Sequence, residues 1–331
     1  MSLLSSPSPA ALDIKQPPPH EPGARHRRLV EAARARGAIT TAVVHPCDAL
    51  SLRGALAARD AGLIHPILVG PPERIRSAAE AAGLSLDGLE IVAAPHSHAS
   101  AEQAVTLARS DRVQALMKGA LHTDEVLAPA VNKADGLRTE RRITHVFVLD
   151  VPYYAKPLFI TDAAINIEPD LTTKADIIRN AIDLAHALAI DAPKVAVLSA
   201  VETVTPEIRS TVDAAALCKM ADRGQITGGL VDGPLAFDNA VSEEAARLKG
   251  IVSAVAGQAD ILVAPDLVSG NMIAKQLVYL AGAQSAGLAL GARVPIILTS
   301  RSDDLDSRIA SAALACLFVA HAKYGVKDGA K

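Results

Sequence analysis

A wound α/β fold with a mostly parallel sheet is what this sequence predicts, on three observations. Short apolar runs of about five residues alternate with helical stretches of about ten to fifteen, the rhythm of strands joined by crossover helices. Half of the residues are hydrophobic, yet only 2% are aromatic and there is no Trp, so Ala, Leu, Val and Ile must fill the core. Such residues suit helices packed on parallel strands. Finally, several apolar runs beyond residue 110 end in small, polar or proline-containing turns, and open α/β sheets bind ligands outside the carboxyl ends of their strands. With 331 residues the chain is long enough for two domains of about 150 residues each.

The elements follow in order. "ARHRRLVEAARARG" reads as an amphipathic helix stopped by Gly37. "AITTAVVH" (38–45), "HPILVG" (65–70), "LEIVAA" (89–94) and "VQALMKG" (113–119) read as strands. Between them "SLRGALAARDAG", "PPERIRSAAEAAG" and "SAEQAVTLARS" read as helices. At 143–161 the pattern changes. "ITHVFVLDVPYYAKPLFITD" holds two β-rich runs around "PYYAKP", which predicts a hairpin and an antiparallel edge, with a domain boundary beside it. "TTKADIIRNAIDLAHALAI" is a helix with Thr173 as its predicted N-cap and Asp176 three residues on. Strands are predicted at 194–201, 226–233 and 259–266, and helices at about 206–222, 242–257 and 272–290. "VPIILTS" is the last strand, leading into a closing helix.

Composition excludes several function classes. Net charge is −3, from 33 basic and 36 acidic residues. No strong field would hold nucleic acid or an anionic membrane, and stacking platforms are scarce. Cys47, Cys218 and Cys316 are odd in number and lack metal-type spacing, so reduced thiols in a cytoplasmic protein are expected. The N-terminal "MSLLSSPSPAALDIKQPPPHEPG" is proline-rich and polar, expected to be a disordered tail over residues 1–24 rather than a secretory signal. The uncharged run Gln276–Ala292 falls short of the ~20 residues of a membrane span and is predicted to be a buried helix.

The polar strand ends carry the chemistry. "MKGALHTDE", "LSAVET", "VDGPLAFDNA", "APDLVSGN" and "TSRSDD" are five turns that could line one cleft. In the last, a greasy run ends abruptly in Thr299, Ser300, Arg301, Ser302, Asp303 and Asp304. Arg301 is the sharpest feature, because a guanidinium forks onto two phosphate oxygens and keeps its charge. Ser300 and Ser302 add donors. The alternative is a surface Arg paired with its acidic neighbours, while Asp306 favours the start of the last helix. His122 is a possible acid/base or a structural hydrogen-bonder. No dinucleotide fingerprint, phosphate-binding "GxxxxGK[ST]" loop or "GxSxG" elbow occurs.

Taken together, "KGALHT" (118–123), "NKADGLRTERRITHVFVLD" (132–150), "FITDAAIN" (159–166), "VDGPLAFDNAV" (231–241), "APDLVSGNMIAKQL" (264–277) and "VPIILTSRSD" (294–303) resemble the phosphate acetyltransferase and phosphate butyryltransferase family over about residues 35 to 322. The resemblance implies a two-domain fold similar to the isocitrate and isopropylmalate dehydrogenases, with a cleft between the domains. Residues 25–147 and 294–331 would form the first domain, and 148–293 the second, which would make the contact of a homodimer. The implied reaction is acyl-CoA plus phosphate giving acyl phosphate plus CoA, with acetyl as the expected acyl group and butyryl as the alternative. CoA is a substrate here, and no metal or redox cofactor is implied.

Such a transfer needs a base to take the thiol proton, a grip on the phosphoryl group, and donors for the tetrahedral oxyanion. By the resemblance, Ser300 and Arg301 match the phosphoryl end. The catalytic Asp lies seven residues after that Ser in acetyl-type members, but position 307 is Ser, so the adjacent Asp306 is the expected base, with Asp303 and Asp304 as alternatives. Ser302, His122, Thr123, Asp162, Asp232, Asn239 and Asn271 are expected to line the substrate cleft. For Asp232 a turn cap, and for Asn271 a helix cap, compete with that role. "APA" at 128–130 departs from the Arg-Pro-Ala of acetyl-type members and points toward the butyryl branch. A decarboxylating dehydrogenase using Asp162, Asp232 and Asp266 for a cation, and a non-catalytic CoA or acyl-phosphate binder, are the rival readings.

Overall fold

The structure, a computed structural model, describes residues 23–300 and 303–328. The expected tail lies outside them up to residue 22. Eleven strands form one sheet in the order β3-β2-β1-β4-β11-β10-β5-β6-β9-β7-β8. In chain order the strands are β1 (Ile39–Val44), β2 (Ile64–Gly70), β3 (Glu90–Ala93), β4 (Ala115–Lys118), β5 (Thr144–Asp150), β6 (Leu158–Thr161), β7 (Lys194–Leu198), β8 (Leu230–Leu235), β9 (Ile261–Val263), β10 (Gln284–Leu290) and β11 (Ile296–Ile297). The helices are α1 (Ala24–Arg34), α2 (Ala49–Asp60), α3 (Pro72–Ala81), α4 (Ser97–Arg109), α5 (Thr123–Ala130), α6 (Leu171–Ala187), α7 (Arg209–Asp222), α8 (Phe237–Val241), α9 (Glu243–Leu248), α10 (Leu267–Ala281) and α11 (Leu305–Asp328).

Seven of the strand pairings are parallel and three antiparallel, the latter being β10 with β11, β10 with β5, and β5 with β6. The predicted hairpin is therefore present, but it is not an edge. β10 pairs with β5 over its whole length and β9 pairs with β6, so the hairpin sits mid-sheet. The proposed boundary at residues 147 and 148 falls inside β5.

Residues 272–290 are not one helix. α10 ends at Ala281, where Gly282 takes φ 66°, a left-handed stop that only glycine adopts cheaply. The chain then re-enters the sheet as β10. Two further differences are local. Asp170, not Thr173, caps α6, its carboxylate accepting the Thr173 N–H at 2.7 Å. The helix predicted at 242–257 is confined to Glu243–Leu248, closed by Gly250 at φ 68°. α11 is long and apolar enough to span a membrane, but it packs on α1, α2, α6 and β10 as a core helix.

The core decides where a cleft can open. One face of the sheet is covered by a continuous cluster running from Ile39 and Val43 through Val146 and Val148 to Ile261 and α11. The opposite face splits in two. One cluster, with Ala42, Leu116, Ala289 and Leu298, covers the β1–β4 half, and another, with Leu149, Ile160, Leu262 and Ala283, covers the β5–β9 half. Gly287 of β10, which has no side chain to contribute, lies between Ala283, just before that strand, and Ala289 within it.

Candidate active site

The turn between β11 and α11 is pinned from three directions. Asp304 caps the helix, its Oδ1 accepting the Ser307 N–H at 2.8 Å. Asp303 folds back so that its Oδ2 accepts the Ser300 N–H at 2.6 Å. Arg308, only 6% exposed, reaches back from the first turn of α11. It donates from Nη1 to Thr299 Oγ1 at 2.9 Å and from Nη2 to the Ser300 carbonyl at 2.7 Å. Its stem lies over Gly54 of α2, where a Cβ would come within 2.9 Å of Arg308 Cδ. Sequence reasoning missed this residue. The signal was there, since Arg308 is a lone charge opening the apolar run "RIASAALACLFVA".

Beside this turn lies a cleft of about 330 Å³. Ser300, Asp303, Asp304 and Ser307 form one wall, Ala274, Lys275, Val278 and Tyr279 of α10 the other, and Phe147, Gln284 and Ser285 the floor. Its apolar lining, Phe147, Ala274, Val278 and Ala283, belongs to or packs on the cluster of the β5–β9 half. The side-chain carbonyl oxygen of Gln284 is buried with no hydrogen-bond partner. Burial pushes the Asp303 carboxyl up from its ordinary range, while the Ser300 N–H and the Arg308 and Lys118 charges act the other way. A carboxylate held partly out of water, with its proton affinity raised by burial, is suited to taking a proton from a thiol. Arg301 and Ser302 lie outside the described residues. Asp306 is exposed in the first turn of α11 and does not line the cleft.

The remaining predicted residues stand elsewhere. Strand direction divides the five polar turns: β4 and β11 run one way, whereas β6, β7, β8 and β9 run the other. The ends of β4 and β11 therefore face one side of the sheet, and those of β7, β8 and β9 the other. His122, exposed, precedes α5, with its backbone N–H given to Glu125 at 2.8 Å, and half-buried Thr123 begins that helix. Asp162 is buried and saturated, accepting the N–H groups of Ala164, Ile165 and Asn166 and the Asn166 side-chain amide at 2.6 Å. Asn271 donates to the Ala163 carbonyl at 3.0 Å, tying α10 to the same loop. Asn239 is fully buried and donates to Glu202 at 3.3 Å, and Asp232 sits on the outermost strand accepting the Gly233 N–H. None of these lines the cleft beside the β11–α11 turn.

A larger cleft, about 920 Å³, opens at the ends of β7 and β9, between the starts of α6, α7 and α10. There Lys174, buried, pairs with Asp213 at 2.8 Å. Asp266 is used as the cap of α10 through the Ser269 N–H. Asp162 and Asp266 thus have structural duties, and no cluster of three or more metal-ligating side chains occurs among the described residues.

The family described as phosphate acetyl/butaryl transferase matches residues 97–316, two thirds of the chain, including the β11–α11 turn. The chain belongs to this family. It is 59% identical over 296 residues to a phosphate acetyltransferase of Rhizobium meliloti, covering 89% of this chain and 94% of that one. A phosphate butyryltransferase of Clostridium acetobutylicum is 43% identical, over 79% and 88% of the two chains. Among solved structures, a branched-chain phosphotransacylase from Enterococcus faecalis superposes with a TM-score of 0.74 at 30% identity, covering 85% of this chain and 99% of that one. The family's enzymes are acyltransferases, as the sequence motifs led us to expect.

Proposed function

We propose that this chain is a phosphate acetyltransferase, converting acetyl-CoA and phosphate reversibly to acetyl phosphate and CoA at the cleft beside the β11–α11 turn. Identity to the Rhizobium meliloti acetyltransferase, higher than to the butyryltransferase, supports the acetyl group. The observation that carries the site is Asp303, which lines the cleft with its pKa raised by burial, whereas its neighbour Asp304 is exposed and committed to capping α11.

In the thioester-forming direction, Asp303 takes the proton of the CoA thiol. The thiolate attacks the carbonyl carbon of acetyl phosphate, the tetrahedral oxyanion collapses, the carbon–oxygen bond to phosphate breaks, and the proton passes to the departing phosphate. Ser300 holds the phosphoryl group, with Arg301, which the sequence puts next to it, as the residue expected to supply the positive charge. Arg308 positions Ser300 by holding Thr299 and the Ser300 carbonyl. This reading takes Asp303 as the base in place of Asp306, the expected residue, because Asp306 is exposed and is not among the residues lining the cleft. His122, Thr123, Asp162, Asp232, Asn239 and Asn271 act in this reading as braces rather than as substrate contacts.

CoA is a substrate and the reaction needs no metal or redox cofactor. The chain is read as two domains of the isocitrate dehydrogenase kind, 25–147 with 294–331 and 148–293, the first boundary passing through β5, and as working as a cytoplasmic homodimer. A substrate panel tests the reading: acetyl-, propionyl- and butyryl-CoA with phosphate, following release of free thiol. Phosphate-dependent release, greatest with acetyl-CoA, is expected; none with any thioester would refute it.

A further inference from the structure

The floor of the cleft is held in an unusual way. On β5, the His145 ring packs edge-on against Phe147, with 4.5 Å between ring centroids and planes at 71°. It occupies the space that a side chain at position 287 would need, because a Cβ on Gly287 would lie 2.9 Å from His145 Nε2. The ring is 2% exposed and its Nδ1 has no hydrogen-bond partner, so it acts as packing rather than as a polar contact. Burial lowers its pKa to about 4, and it stays neutral at pH 7. Phe147 itself is half-buried, backed by His145 and bordered on the cleft's far side by Ala274 and Val278 of α10. A hard apolar surface therefore faces the polar wall of Ser300 and Asp303.

Of the groups meeting at the reacting centre, phosphate and thiolate are polar and only the acyl chain is apolar. We propose that Phe147 is the specificity-determining residue of this cleft, its ring closing the acyl end so that a two-carbon group fits and a longer one is obstructed. This inference rests on the acyl-transfer reading. It adds a size limit that neither the turn nor its carboxylates impose.

The test compares kcat/KM for acetyl-CoA and butyryl-CoA, with phosphate, in the wild type, Phe147→Ala and Phe147→Leu. One methylene in an apolar pocket is discriminated by roughly 10–200-fold. The butyryl-to-acetyl ratio should rise at least about tenfold in Phe147→Ala and less in Phe147→Leu, with the KM for phosphate unchanged. Phe147→Leu, which keeps most of the apolar volume, carries the test if the alanine variant does not fold. An active wild type whose ratio stays the same in the folded variants overturns the size limit alone. A wild type with no phosphate-dependent turnover overturns the acyl-transfer reading, and the size limit with it.

Discussion

Replacing Arg308 by Ala should both loosen the fold and disorder the turn that holds Ser300. Two short hydrogen bonds from a charged donor would be lost, to Thr299 Oγ1 and to the Ser300 carbonyl, together with a long one from Nε to the Asp303 carbonyl at 3.4 Å. Each of the two short ones contributes about 1.5 kcal/mol at the low end for a charged group, and the long one little. Loss of the stem packed over Gly54 adds about 1 kcal/mol, in line with removing a buried methylene or two. The sum is about 4 kcal/mol. With an m-value of about 2–3 kcal/mol/M in urea, the unfolding midpoint should fall by about 1–2 M. Arg308→Lys should recover less than half, since an ammonium cannot fork onto both acceptors. Because Arg308 touches no substrate in this account, the folded variant should show a raised KM for phosphate through the displaced Ser300. A midpoint lowered by less than ~0.3 M, with kinetics unchanged, would show that the turn does not depend on this guanidinium.

Three other outcomes are expected. Arg301→Ala should leave the fold intact and weaken phosphate and acyl phosphate by about 2–5 kcal/mol, read as KM; unaltered kinetics would remove this residue from the site. His145 has its pKa lowered by burial from 6.5 to about 4, so the unfolded chain takes up a proton first as pH falls. The stability this group contributes is complete above pH 6.5 and is lost progressively down to about pH 4, by about 3 kcal/mol. Urea midpoints across that window should fall more steeply for the wild type than for His145→Leu, and equal slopes would contradict it. Gly119→Ala should cost about 1–3 kcal/mol, because its Cβ would meet the Val44 carbonyl oxygen at 2.3 Å and His45 backbone atoms at 2.9 Å, neither of which can swing aside; a thermal midpoint equal to the wild type's would count against that packing.

Much of the fold was legible where local signals agreed. β1 to β4 adjoin Gly or Pro in the sequence, α2 has the acidic cap Asp48, and the apolar runs have strand length. The segment Gln276–Ala292 misled because it carries no charge and its strand half, "QSAGLAL", is made of small residues that pack as well in a helix. What made it a strand is tertiary: β5 offered it a seven-residue partner, and the bare Gly287 made room for His145. The hairpin's place mid-sheet was invisible for the same reason. α5 was hidden by Pro129 inside it and by the turn-like "HTDE" at its start. In the site, the abrupt polar end of "VPIILT" marked the turn, but spacing could not say which carboxylate the fold would bury. That depended on Arg308 drawing the turn inward, a contact between residues eight apart that no periodicity encodes.

Acetyl-CoA formation from acetyl phosphate and CoA, followed side by side in wild type, Asp303→Asn and Asp306→Asn, bears most directly on the cleft assigned to this chemistry. Turnover by the wild type, a drop in kcat of about 10²–10⁴ in Asp303→Asn, and near-normal kcat in Asp306→Asn is the expected pattern. Full activity in Asp303→Asn would contradict it.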